Sequence, residues 1–237
     1  MSEHVITSIG HILITPTLMS VVLLDIFMLT ILFFIKKPHF IPGKLQAAIE
    51  LIYEFITNLA RPILQSDLVK LLVPYLTFAF LFIWLGNYLG LLPGMETIGF
   101  YRHGYFVPLF KGPTSDLNLT LAMGLIVFVA VHFLTLKNKG FKQWFKHFFM
   151  TKPLYLLALF VLVGLLEIIL EPVKYLVLGI RLYGNINAGE MLIGALSTIP
   201  LVALPFYFLE LLVGFLQALI FVGLSLAYFA TMMEDHH

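Results

Sequence analysis

The sequence contains no cysteine, and only 11% of its 237 residues are Asp, Glu, Lys or Arg. The missing cysteine excludes disulfides, thiolate catalysis and cysteine-ligated metals. The shortage of charge, together with 60% hydrophobic residues, argues against a water-soluble globule, in which about 25% of residues are charged. A net charge of +1 also argues against a nucleic-acid partner.

Long apolar runs dominate the chain instead. Lipid offers no hydrogen-bond partner to the backbone, so such runs form helices; a spanning β-barrel would show apolar–polar alternation. The first run is followed, not preceded, by Lys36 and Lys37, so it is a retained span rather than a cleaved signal peptide. We therefore predict one all-α polytopic membrane domain, multi-pass, with about five transmembrane helices. These spans cover about residues 12–35, 71–92, 117–136, 153–199 and 200–232.

Two further segments mix charged and apolar residues at helical spacing. Residues 44–64 carry Glu50, Glu54 and Arg61 among aliphatic residues, and residues 141–149 repeat the pattern with lysines and aromatics. Such patterns are typical of helices that lie in the membrane interface. We predict interfacial amphipathic helices at both places.

The apolar stretch 153–199 is too long for one upright span. A helix rises about 1.5 Å per residue, so this stretch would extend about 70 Å, against a hydrocarbon core of about 30 Å. Two spans meeting near Pro172 are one solution, but no Gly, Asn or Ser cluster marks a turn there. A strongly tilted helix, kinked at Pro172, fits better. With the last span it makes a long tilted helical hairpin at the C-terminal end.

Positive charges predict the orientation. Five Lys or Arg residues lie between Lys36 and Lys70 and five between Lys137 and Lys152, whereas the 93–113 loop holds only Arg102 and Lys111. Basic loops stay in the cytoplasm. The amino terminus and the 93–113 loop are thus predicted outside and the carboxyl terminus inside.

The last two spans carry charged residues, which are rare in membranes and mark function. Glu167, Glu171, Lys174, Arg181 and Asn185 share one helix face, and Glu190 points elsewhere. In the final helix Glu210 and Gln217 share a face. Two interpretations of Glu167 and Glu171 stay open: a functional ion path, or ion pairing with Lys174. Arg181 has no acid three or four residues away, so its permanent charge requires a partner on another helix or chain.

The stretch 178–190, Leu-Gly-Ile-Arg-Leu-Tyr-Gly-Asn-Ile-Asn-Ala-Gly-Glu, closely resembles the arginine motif of subunit a of the F-type ATP synthase membrane sector. Segments 208–221, 113–120 and 86–94 resemble the family's last helix, the start of its middle helix and the end of the preceding one. The resemblance covers nearly the whole chain in order and spacing and is weakest before Lys36.

The resemblance implies an ion-translocating stator subunit that forms two offset half-channels against a ring of c subunits. Arg181 matches the arginine that attracts each ring carboxylate and separates the half-channels. Glu190, Glu210 and Gln217 match outer half-channel positions, although some relatives have histidine where this chain has Glu210. Glu167 and Glu171 match the inner side, and Asn185 would orient or hydrate Arg181, unless it only joins helices.

The same resemblance implies further partners: the peripheral stalk b subunits, the remainder of the ATP synthase complex and the lipid of a bacterial plasma membrane. It implies no cofactor and no independent catalytic activity. The ion is taken as H⁺, with Na⁺ as the alternative. A secondary ion-coupled transporter is the rival function, but no internal repeat supports it. An intramembrane enzyme lacks a nucleophile or metal motif, and a freestanding channel would not explain Arg181.

Overall fold

The fold is built almost entirely of long helices. The computed structural model describes residues 7–9, 12–34, 42–92, 95, 97–102, 105–148, 157–196 and 200–233. The helices in these residues are α1 Pro16–Phe34, α2 Lys44–Ala60, α3 Ser66–Leu91, α4 Leu117–Lys139, α5 Phe141–Phe148, α6 Leu157–Leu196 and α7 Pro200–Met233, with a short 3-10 helix at Pro113–Ser115. The predicted all-α class is confirmed.

Four of the described helices are long and apolar enough to cross a membrane by length and composition. They are Pro16–Phe33, Ser66–Leu91, Leu117–Lys139 and Leu201–Met233. Helix α6 is 40 residues long and runs through Pro172 without a turn. It carries five charged residues and is not among these four. One continuous helix is what the tilted-helix interpretation requires, and the alternative with a turn at Pro172 is wrong.

The start of the first helix differs from the prediction. Residues 12–14 form strand β2, which pairs antiparallel with β1, Thr7–Ile9, and α1 begins only at Pro16. Thr15 accepts a hydrogen bond from the backbone N–H of Leu18, and proline suits the first helical turn, so Thr15–Pro16 starts the helix. The other helix bounds lie within about five residues of those expected. Residues 35, 149, 153–156 and 197–199 of the predicted helices lie outside the described residues.

The loop before α4 is also structured. Strands β3, Gly99–Arg102, and β4, Tyr105–Pro108, form a second antiparallel hairpin. After it, Asp116 caps α4: its carboxylate accepts from the backbone N–H of Asn118 and from the hydroxyl of Thr17, each at 2.8 Å. This N-cap also joins α4 to α1.

The core lies where α3, α4, α6 and α7 pack together. Ile83, Val127, Leu182 and Phe229 are each fully buried there. Outward-facing positions of the same helices remain apolar and exposed, as expected of surfaces that face lipid or partner helices. Helix α2 packs on α3 and exposes Leu51, while its predicted place in the interface, like that of α5, stays a prediction.

Helices α4 and α6 approach closely because glycine occupies both sides of their crossing. A Cβ added to Gly179 would meet the carbonyl oxygen of Thr120 at 2.5 Å and the Cα of Leu121 at 3.0 Å. A Cβ on Gly124 would collide with the carbonyl of Tyr175 in the same way. These obstacles are backbone atoms, which no side-chain rotation can move.

We expect Gly179→Ala to destabilise the chain by about 1–3 kcal/mol, the usual effect of overpacking. Thermal unfolding of the purified chain in detergent measures this change. Gly223→Ala in α7 is the matched control, because a Cβ there meets nothing within 4 Å. Equal melting temperatures for the two variants would contradict the close crossing.

Candidate functional site

Helix α6 separates its polar groups by face. Its buried stripe includes Tyr175, Leu178, Leu182 and Ile186. At about 100° per residue, Arg181 lies about a quarter turn to one side of this stripe and Glu190 a similar angle to the other. The arginine is exposed on an apolar surface, next to residues such as Val177 at 43% exposure and Ile180 at 51%.

Arg181 forms no ion pair or side-chain hydrogen bond with any residue that the structure describes. An arginine guanidinium carries a permanent positive charge. A permanent charge on an apolar, lipid-depth surface needs an external counter-charge or water. Within the described part of the chain, Arg181 thus has no acidic partner on its own helix or on a neighbouring one.

Glu171 is engaged by its own helix. Its Oε2 accepts from Lys174 Nζ at 2.5 Å, and its Oε1 accepts from the hydroxyl of Tyr175 at 3.4 Å. The carboxylate is buried, whereas the Lys174 side chain is 44% exposed. The ion pair expected with Lys174 is thus formed by Glu171, and the ion-path interpretation of the two acids stays a prediction.

An aromatic cluster, missed by sequence reasoning, surrounds Tyr175. Its ring lies 4.8 Å from the ring of Tyr228, 5.1 Å from Phe128 and 6.1 Å from His132. The Tyr228 hydroxyl donates to the backbone carbonyl of Lys174. No spacing within one helix could reveal this cluster, because its members lie on α4, α6 and α7.

Glu190 lies at the opposite end of α6, against glycines of two other segments. Its Oε1 is 2.9 Å from the position that a Cβ on Gly112 would take and 3.6 Å from that of Gly90. Gly90 lies in the last turn of α3, and Gly112 precedes the 3-10 helix that leads into α4. Because both lack side chains, the carboxylate reaches the junction of these segments.

Glu210 of α7 packs onto the backbone of Gly189, so the two acidic positions are brought to the same region. Its residue surface is 4% exposed, and its Oε1 has no hydrogen-bond partner among the described residues. One turn further, the Asn87 amide donates to the Gly214 carbonyl at 2.9 Å. Gln217 is also buried, at 9% exposure, on this face of α7.

Glu167 and Asn185 are half-buried on α6, and Asp25 is half-buried on α1. No described residue forms an ion pair with Glu167. No cluster of three or more His, Asp or Glu residues in the described ranges is placed to hold a metal ion. The acidic groups of α6 and α7 lie in two regions on either side of Arg181. Glu167 and Glu171 lie toward the start of α6, and Glu190 and Glu210 lie toward its end.

The chain also matches a known protein family. The family model described as ATP synthase A chain matches residues 14–230, which is most of the chain. The chain belongs to the ATP synthase subunit a family. The resemblance found in the sequence is thereby confirmed, and the family makes the chain an integral membrane component of the F-type ATP synthase rather than an enzyme active alone.

Individual members of the family match this chain over most of their length. The chain is 33% identical over 202 residues to ATP synthase subunit a 2 of Photobacterium profundum, covering 83% of this chain and 78% of that protein. It is 32% identical to ATP synthase subunit a of Buchnera aphidicola, covering 91% and 80%. The corresponding protein of Sulfurihydrogenibium is 30% identical, covering 97% and 96%.

Proposed function

We propose that the chain is the ion-translocating stator subunit of a rotary F-type ATP synthase, forming two offset half-channels against the c-subunit ring. One observation carries this proposal: Arg181 is an exposed cation without an ionic partner in the described structure, and it lies between two acidic regions. Along α6, at about 1.5 Å per residue, Glu167 lies about 21 Å to one side of it and Glu190 about 13.5 Å to the other.

The exposed apolar face around Arg181 is the surface that we assign to the ring. A ring carboxylate would supply the counter-charge that the arginine lacks. Arginine suits this task because it keeps its proton when desolvated, whereas lysine can lose it. We assign Asn185, which is one turn away and half-buried, to hydrating or orienting the guanidinium.

We assign the outer half-channel to Glu190, Glu210 and Gln217. Burying a carboxylate in a dry site is costly unless a partner or water compensates it. Glu210 is 4% exposed and its Oε1 has no hydrogen-bond partner among the described residues, so access to water would resolve this conflict. The glycines 90, 112 and 189 leave room for the two carboxylates to approach the end of the bundle that bears the 93–113 loop. With the orientation predicted from the basic loops, that end faces outside and the carboxyl terminus lies in the cytoplasm.

The inner half-channel is assigned to the opposite end of α6, where Glu167 is the half-buried carboxylate without an ion-pair partner among the described residues. Glu171 is left out of this path because Lys174 engages it. A membrane potential contributes about 2.3 kcal/mol per charge per 100 mV, and it drives rotation only if the two paths are offset with Arg181 between them. H⁺ is the proposed ion, the bacterial plasma membrane the proposed location, and the b subunits the proposed further partners.

A photo-reactive residue tests the ring-facing surface directly. Placed at Val177, one turn before Arg181, it should cross-link to c subunits in the assembled complex. Leu125 on α4 is the control, because it is 55% exposed but lies on another helix. A c-subunit product from Leu125 but none from Val177 would contradict the assignment of the ring to this face.

A further inference from the structure

Two cations, not one, lie on the exposed side of α6. Lys174 precedes Arg181 by seven residues, which is about two turns and about 10 Å along the helix. Both residues are exposed, and the positions around them are exposed and apolar, including Val173 at 41% and Val177 at 43%. A carboxylate that moves across this surface would meet two positive side chains.

The two cations differ in whether an acidic side chain pairs with them. Lys174 Nζ lies 2.5 Å from Glu171 Oε2, whereas Arg181 has no ionic partner in the part of the chain that the structure describes. Charges this close attract strongly when water is excluded, so the ammonium is neutralised at short range. Glu167, the other acid on this face, is a full two turns from Lys174 and forms no such pair with it.

Glu171 is held in place from the buried side. The hydroxyl of Tyr175 donates to its second oxygen, and Tyr175 is itself only 1% exposed. The tyrosine ring packs among Phe128, His132 and Tyr228, so it cannot turn away without disturbing α4 and α7. The carboxylate thus extends from the buried stripe of α6 to the ammonium on its exposed flank.

We propose that Glu171, positioned by Tyr175, neutralises Lys174 so that Arg181 alone presents an uncompensated positive charge to the ring. This inference rests on the proposed function. Without Glu171, a cation at position 174 would be a second docking point for the ring carboxylate, displaced from the boundary between the half-channels, and an arginine there would hold its charge even when desolvated. The carboxylate would then pause at the wrong place, and coupling would fall. Glu171 is on this view a positioning residue and not part of the ion path.

The test is Glu171→Gln in the whole complex, measured by ATP-driven H⁺ pumping and by the amount of assembled complex. Pumping should fall about tenfold, the effect of one misplaced charge-assisted contact, while assembly stays normal. The double variant that combines Glu171→Gln with Lys174→Gln should restore pumping to near the native rate, because both charges are removed. In the double variant that combines Glu171→Gln with Lys174→Arg, pumping should stay low, because arginine keeps its proton. Lys174→Arg alone keeps the pair and is the control.

Three results would overturn the inference. Native pumping by Glu171→Gln would show that Lys174 needs no neutralisation. Equally low pumping by the single variant Glu171→Gln and by the double variant with Lys174→Gln would show that Glu171 itself carries ions. Loss of assembled complex in Glu171→Gln would make the pair purely structural. Arg181→Ala, measured in parallel, separates these failures from failure of the proposed function, which would appear as native pumping by that variant.

Discussion

Arg181→Ala should lower ion-driven ATP synthesis by about a hundredfold or more, the scale of losing one preorganised charge at a reacting group. The variant should still assemble, because the side chain is exposed and makes no ion pair within the described structure. Inverted membrane vesicles with an imposed potential give the synthesis rate, and immunoblots give the amount of complex.

Arg181→Lys is the informative companion variant. It keeps a positive charge in water, but a desolvated lysine can lose its proton between helices and ring. We therefore expect it to fail in coupling nearly as severely as alanine. Synthesis by the lysine variant at the native rate would show that any cation suffices, and the argument from permanent charge would then be wrong.

Glu210→Gln should slow coupled transport by about a hundredfold, the contribution typical of one proton-transferring group, and Glu190→Gln should act in the same direction. Glutamine keeps the shape of the buried side chain against Gly189, so assembly should be retained. ATP-driven pumping in vesicles measures the effect. Glu54→Gln on the exposed side of α2 is the control and should pump at the native rate.

Cysteines at positions 190 and 210 give an independent check on the same path. The chain has no cysteine of its own, so within this chain a silver or mercurial reagent reacts with the thiols at these positions alone. Reaction of both cysteines with the reagent, detected as mass added to the chain, supports an aqueous path. Inaccessibility of both, or a Glu210→Gln variant within about twofold of the native rate, would make the two acids structural.

Local signals were enough to predict much of this fold. Long apolar runs predicted α3, α4 and α7, and the lack of a turn signal at Pro172 predicted one continuous α6. Asp116 was recognisable as an N-cap from its place before an apolar run. The solitary position of Arg181 followed from helical spacing, because its i±3 and i±4 neighbours carry no acid.

What depends on tertiary contacts was not predictable. Spacing allowed Lys174 to pair with Glu167 or Glu171, and the structure forms the pair with Glu171, whose other oxygen accepts from the hydroxyl of Tyr175. The approach of Glu190 to Gly90 and Gly112 joins residues far apart in the chain. The hairpin β3–β4 is too short for its strands to show a periodic pattern.

Simultaneous measurement of ion uptake and ATP synthesis in vesicles that carry Arg181→Ala tests the central claim most directly. If Arg181 separates the two half-channels, its loss lets a ring carboxylate exchange ions with both paths, so ions should cross under an imposed potential while almost no ATP is made. A native ratio of ATP formed to ions transported would contradict the account.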